Sequence, residues 1–295
     1  TPGLAACLDG NDLPEPVRVA AARLWVNGLR ENPAGYPELS GLMRRSSLPA
    51  VVRTALLGEL RRSGQPAARD ALLDGWSSLA PAERAERLGT LMGRTEWIPG
   101  LLSAFERNTV PMTDLSPAQR DLLRTHRDEA IRTRALRLFP ASAAGMDPAT
   151  EARRLAGAAR LAGDAMRGRS LFAERCLACH AVRGQGHAVG PDLSVYGTKP
   201  FEDFLTALVH PDAAVDPRHA GQTVETTDGL EWTGVVTEAT DQALTLRLPG
   251  GHRERLARSS IRRQTPLPRS LMPEGLTEGW TPQQVADLLA WIRNP

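Results

Sequence analysis

Apolar residues recur along the first half of the chain at i, i+3, i+4 and i+7, the period that lines one face of an α-helix. From Leu13 to about Pro140 short stretches of this kind follow one another, punctuated by prolines at 33, 49, 66, 81, 99, 111 and 117, and no strand-like alternation interrupts them. Val17, Ala20, Ala21, Leu24 and Trp25 predict one buried face, and Ile98, Leu101, Leu102 and Phe105 another. Connections this short force antiparallel helical hairpins, which give either a compact bundle or a solenoid. Residues 141–162 read as a linker and a short helix, and the style changes near Gly163. A helix is expected from Asp164 to about Cys179, then a glycine-rich loop, then a helix marked by Phe201, Phe204, Leu205 and Leu208. Thr223–Thr226, Leu230–Thr237 and Ala243–Leu248 alternate as strands of an antiparallel meander, with Asp228-Gly229 and Gly250-Gly251 at the turns. A last helix opens on Thr281, Pro282 and Gln284, a capping box with proline at its first position, and buries Val285, Leu288, Leu289 and Ile292.

A short echo, Val17-Arg18-x-x-Ala21, Val52-Arg53-x-x-Leu56 and Ile131-Arg132-x-x-Ala135, resembles HEAT-like repeats. The chain of 295 residues exceeds what one core usually holds, so two domains are expected. Its 41% hydrophobic and 24% charged residues are ordinary globular values. The formal net charge of +2 is spread over both halves, which speaks against a nucleic-acid partner. No run of eighteen apolar residues is present, so no membrane span is expected, and the opening Thr-Pro-Gly-Leu reads as a mature form or a fragment.

Three cysteines make no disulfide framework, but two of them stand in Cys176-Leu-Ala-Cys179-His180, the C-x-x-C-H run of covalent haem attachment. Two thiols one turn apart can add to the two vinyl groups on one porphyrin edge, leaving the adjacent imidazole of His180 as proximal iron ligand. The competing chemistries are a dithiol redox pair and half of a zinc site. The latter needs further Cys or His, and the remaining cysteine, Cys7, lies far away in sequence, either as a small buried hydrophobe or bonded to something beyond this chain. For a sixth ligand, His187 is too close to His180 to cross the macrocycle, and His210, His219 and His252 fall near a helix end, a loop and the meander. Met272 is better placed, in the Pro/Gly-stiffened loop Ser270-Leu271-Met272-Pro273-Glu274-Gly275-Leu276 ahead of the last helix. Arg253, Arg255, Arg258, Arg262 and Arg263 form the densest basic cluster, read as a solvated strand face or as a set that neutralises haem propionates or steers an acidic redox partner. Trp232 and Trp280 serve equally as crevice or core aromatics.

From Gly163 onward the chain resembles a haem-binding c-type cytochrome domain of the kind found in planctomycetes and related bacteria. The resemblance rests on Gly163-Asp164, Gly168-x-x-Leu171-Phe172, Cys176-x-x-Cys179-His180, Gly186, Gly190-Pro191-Asp192-Leu193, His210-Pro211, Thr226-x-Asp228-Gly229, Gly234 and Ser270 through Leu276, in that order. It departs from the pattern near His219, where the family often has an aromatic residue. The resemblance implies that Pro191 O accepts the His180 Nδ1 proton, that Gly168 and Phe172 meet the last helix near Leu288 and Trp291, and that helical repeats precede the haem domain.

The expected protein is therefore mainly α: a HEAT-like region (1–140), a linker with a short helix (141–162), and a cytochrome c domain (163–295) with a small antiparallel β insertion at about 222–263. It is expected to carry one covalent haem c, held by Cys176, Cys179 and His180 with Met272 as second axial ligand, and to transfer single electrons. Its partner would be a redox protein or a dehydrogenase domain of the same parent, and the resemblance implies a periplasmic or otherwise exported location. The alternatives are an open-site haem enzyme or gas sensor, and an interaction module with an accessory haem.

Overall fold

The computed structural model describes residues 7–8, 13–45, 47–140, 147–213 and 215–293. Part of the expected linker, 141–146, lies outside the described residues. The fold is mainly α with small antiparallel sheets, and the chain divides into two compact units.

The first unit runs to Leu115 and also takes in Thr227–Glu231. Its helices are α1 (Glu15–Gly28), α2 (Tyr36–Met43), α3 (Ala50–Ser63), α4 (Pro66–Leu73), α5 (Pro81–Met92) and α6 (Ile98–Glu106). Proline near the start of most of them uses a position where the missing N–H has no intrahelical partner to lose. The broadest contact is α1 on α3; α3 also lies on α5, α2 on α4 and α4 on α6, and the sequential neighbours α3–α4, α4–α5 and α5–α6 touch as well. Ile98, Leu101, Leu102 and Phe105 are all buried, as their spacing predicts. The face of α1 differs from expectation. Ala21, Ala22, Trp25 and Val26 are buried, whereas Val17 is 47% and Leu24 66% exposed, so the helix is rotated to present its i, i+4 pairs Ala21/Trp25 and Ala22/Val26. Within this unit Leu230 bridges Arg94 in antiparallel fashion, and Glu231 N–H donates to Gly93 O at 3.0 Å.

The second unit begins at Ser116, well ahead of the boundary that composition suggested at 141–163. The reason is a set of charged contacts and apolar anchors that tie the intervening helices to later segments. Here α7 (Pro117–Arg124) and α8 (Glu129–Leu138) form a hairpin. Ser116 and Gln119 cap α7 reciprocally, at 3.2 and 2.9 Å. Asp121 on α7 pairs with Arg269, and Arg127 between the helices pairs with buried Glu225, which also accepts from Arg262 at 2.6 Å. Then α9 (Pro148–Leu155) places Leu155 in the same apolar core as Phe172, Phe204, Leu208, Val285, Leu288 and Ile292. Complete burial of a side chain such as Phe172 stabilises by about 2 kcal/mol.

That core is organised by the crossing of α10 (Ala165–Arg175) and α12 (Pro282–Arg293), with α11 (Phe201–Val209) against it. Asp164 caps α10, accepting from Met166 N and Arg167 N at 2.8 and 3.1 Å. Glycine makes the crossing close: a Cβ at Gly163 would meet Ala286 O at 2.2 Å. Strands β1 (Ala181–Val182) and β2 (Gln185–Gly186) make a small hairpin, and β3 (Gly221–Thr226), β4 (Glu231–Ala239), β5 (Ala243–Arg247), β6 (Arg253–Ala257) and β7 (Ile261–Pro266) make a five-stranded antiparallel sheet in the order β6-β5-β4-β3-β7. A 3₁₀ turn at Arg258–Ser260 carries the chain from one edge of the sheet to the other. The arginine cluster is thereby split. Arg253 and Arg255 lie on β6 and Arg262 and Arg263 on β7, the first and last strands of a sheet that must curl for so short a link to join them. Arg258 instead donates to Thr240 O and Gln264 Oε1, at 3.0 and 3.1 Å.

Candidate functional site

Helix α10 ends at Arg175, and the next five residues wind one further turn whose first carbonyl, Cys176 O, accepts from both Cys179 N and His180 N at 3.0 and 2.9 Å. The turn sets Cys176, Cys179 and His180 on one short stretch, with Cys176 buried in the core and Cys179 half-buried. Every carbonyl of the turn has a backbone partner. Leu177 O accepts from His187 N, Ala178 O from Gly250 N at 2.6 Å, Cys179 O from Val189 N and Gly190 N, and His180 O from His187 N. The β1–β2 hairpin supplies the fold-back. Gly186 has φ +102 there, and a Cβ on it would meet His180 O at 2.2 Å.

The imidazole of His180 is held from two sides. Its Nδ1 lies 2.8 Å from Pro191 O, and because a carbonyl only accepts, Nδ1 must carry the proton. Nε2 keeps its lone pair and makes no hydrogen bond among the described residues. Burial holds the imidazole below its ordinary pKa, opposed by the Pro191 bond and reinforced by nearby His219. Gly190 lies flat against the ring, where a Cβ would meet Cε1 at 2.5 Å. Burial also pushes the thiols up, Cys176 to about 12 and Cys179 to about 11, so both are protonated at neutral pH. Protonated, enclosed thiols are poor candidates for an exchanging dithiol pair, which needs a thiolate. Among the described residues no group of three or more His, Cys, Asp or Glu side chains is placed to hold a metal ion, which leaves the zinc alternative without its further ligands.

Two addable thiols on one turn, a neutral imidazole with a fixed tautomer and a free Nε2, and a glycine-lined ring face fit a covalently attached haem. Residues 165–246 match the cytochrome c family model. They form a cytochrome c domain. No curated protein matches the chain. Members of the cytochrome c family carry covalent haem c and move electrons, and this domain is a haem-binding electron-transfer module. Among the described residues no helix is long and apolar enough to cross a membrane.

Met272 lies beyond the matched segment of the cytochrome c domain. It is half-buried and packs on the core that contains Cys176, and its N–H donates to Ser270 Oγ at 3.1 Å. His210 is exposed at the end of α11, and His252 is exposed beside Glu254. His219 is half-buried with Nδ1 3.1 Å from Val189 O, in the loop that also carries Gly190 and Pro191. Trp280 is buried in the core of this unit and Trp232 is buried on β4. Two contributions escape sequence reasoning. Gly250-Gly251 reads only as a turn, yet Gly250 caps the haem-attachment turn and Gly251 (φ +79) leaves no room for a Cβ beside His187. Gly190 reads as part of a motif string, without a sign that its missing side chain is where the imidazole lies.

Proposed function

We propose that the protein is an electron carrier in which Cys176 and Cys179 would hold one haem c by thioether bonds and His180 and Met272 would ligate its iron. The observation that carries this reading is the fixed His180 tautomer, with Nδ1–H donated to Pro191 O and Nε2 left free. The haem, when bound, supplies reversible one-electron exchange between ferric and ferrous iron. The chain supplies the rest. The Cys176–His180 turn fixes attachment and ligand in one rigid unit, the Pro191 bond makes His180 a stronger donor, and the apolar core around Phe172, Tyr196, Phe204 and Met272 excludes water. A thioether ligand from Met272 favours the ferrous state relative to a second imidazole.

The packing of α1–α6 on one another supports a HEAT-like scaffold that docks a partner or a further domain of a parent dehydrogenase. The planctomycete-type likeness, in which helical repeats precede a haem domain, supports this reading. Because thioether attachment occurs outside the bacterial cytoplasm, we propose a periplasmic or exported location.

The test is an optical spectrum, oxidised and dithionite-reduced, of protein matured in a haem c-competent host, beside Met272→Ala. A c-type reduced α-band, with a weak near-infrared charge-transfer band that the variant lacks, is the expected result. A high-spin wild type that binds carbon monoxide overturns Met272 ligation and favours an open-site enzyme or sensor.

A further inference from the structure

Fifteen residues, 267–281, connect β7 to α12 without regular structure, and Met272 sits among them. A loop of this kind holds a ligand only if its ends are fixed. Downstream, Thr277 Oγ1 donates to Glu151 at 2.6 Å, and Arg154 donates to the carbonyls of Thr277 and Trp280. Upstream, Leu267 N–H donates to Gly221 O at 2.9 Å, and Ser270 N–H donates to Asp212 Oδ1 at 2.6 Å. Between these two, Arg269 reaches α7. Its guanidinium donates to the Asp121 carboxylate and to Thr125 Oγ1, with both members of the ion pair about four-fifths shielded from solvent. The turn that follows α7 is tied to the sheet through Arg127 and buried Glu225. Gly221, with no Cβ, lets Leu267 and Leu271 close down on β3, where a Cβ would meet Leu271 Cγ at 2.7 Å.

We propose that Asp121 and Thr125 are positioning residues for the second axial ligand: through Arg269 they hold the Met272 loop closed on the haem, although both lie outside the segment that matches the cytochrome c family. The inference rests on the reading of Met272 as ligand. Its physical content is a loop equilibrium. An external ligand can bind the iron only when Met272 has left, so its apparent affinity is its intrinsic affinity scaled by the open fraction. Loosening the upstream tether raises that fraction without touching the iron site itself.

Imidazole titration of the ferric, haem-loaded protein reads this directly, with the near-infrared band and the thermal midpoint recorded alongside. Asp121→Asn keeps the shape of the side chain and removes its charge, and is expected to bind imidazole about twofold to fivefold more tightly than wild type, the scale of one partly shielded ion pair. Thr125→Val, which removes the hydrogen bond from Arg269 and the one that Thr125 Oγ1 donates to Asp121 O, moves affinity the same way by less, and carries the test if Asp121→Asn does not mature. In a Met272→Ala background neither substitution changes imidazole affinity, because no ligand remains to be released. The charge-swapped pair Asp121→Arg with Arg269→Asp restores affinity toward wild type. Unchanged imidazole affinity in a wild type that shows the band, or an equal change in the Met272→Ala background, overturns the positioning role while leaving Met272 as ligand. A wild type without the band overturns the Met272 reading, and the positioning role with it.

Discussion

Gly168 on α10 lies against the backbone of Asp287 on α12 so closely that a Cβ on the glycine would fall 1.9 Å from the Asp287 carbonyl oxygen. Trp291 Cβ, one turn further along the same helix, would stand 2.9 Å away, so neither neighbour can yield without moving the helix. Gly168→Ala is expected to cost about 2–3 kcal/mol by forcing the crossing apart. Gly157→Ala, where a Cβ meets nothing within 4 Å, is expected to be near neutral. Denaturant unfolding of the two variants beside wild type checks the contrast, and equal stabilities would remove the crossing as the organiser of this core.

Asp287 itself is buried and accepts from Asp164 N at 2.8 Å, from Arg167 Nε at 2.7 Å and from Gln283 Nε2 at 2.8 Å. Burial pushes its carboxyl pKa up, but these donors outweigh burial and hold it below the ordinary carboxylate value. A depressed folded-state pKa contributes stability above the unfolded value near 3.9, and that stability is lost as pH falls through the folded value. Asp287→Asn should therefore lower the melting temperature at pH 7 and leave it nearly unchanged at the acid end. A variant whose deficit is the same at pH 7 and pH 3 would contradict this account.

The packing of Gly190 on the His180 ring carries a separate expectation. Gly190→Ala puts a methyl group 2.5 Å from Cε1, and the imidazole must tilt away from the Pro191 carbonyl to admit it. The variant should yield several-fold less low-spin haem protein than wild type, with weaker retention of the proximal ligand. An unaltered spectrum and yield would show that the loop, not the ring, gives way.

Single replacement of Cys176 or Cys179 by alanine leaves one thiol to form a thioether. Each variant should keep haem on a denaturing gel but shift its reduced α-band to longer wavelength, since one vinyl group stays conjugated with the ring. The double variant should release all haem on denaturation. Mass spectrometry of the intact chains separates these outcomes.

Residues with adjacent, covalently dictated roles were the easiest to read in the sequence. Cys176-x-x-Cys179-His180 is legible because its chemistry fixes the spacing, and Thr281-Pro282-x-Gln284 because a helix start satisfies its N–H groups locally. Arrangements set at long range were not legible. Val17 and Leu24 fit the helical period of α1 as well as Ala22 and Val26 do, and only the neighbour α3 decides which pair is buried. The segment 116–138 follows the helical style of the first unit, yet Asp121 and Arg127 find their partners at Arg269 and Glu225, far along the chain. β6 and β7 were hidden because exposed edge strands rich in arginine lack the apolar alternation of β4 and β5.

The separation of the arginines onto β6 and β7 has a consequence for solubility. Each of these strands offers a row of unpaired backbone N–H and C=O groups, which would otherwise serve as a template for a strand from another molecule. Arg253 and Arg255 put charge on one margin and Arg263 on the other, while Arg262 is held in an ion pair with Glu225. A cluster that looks in the sequence like one concentrated patch is, on the folded sheet, shared between its two outer strands, where charge disfavours the addition of a further strand.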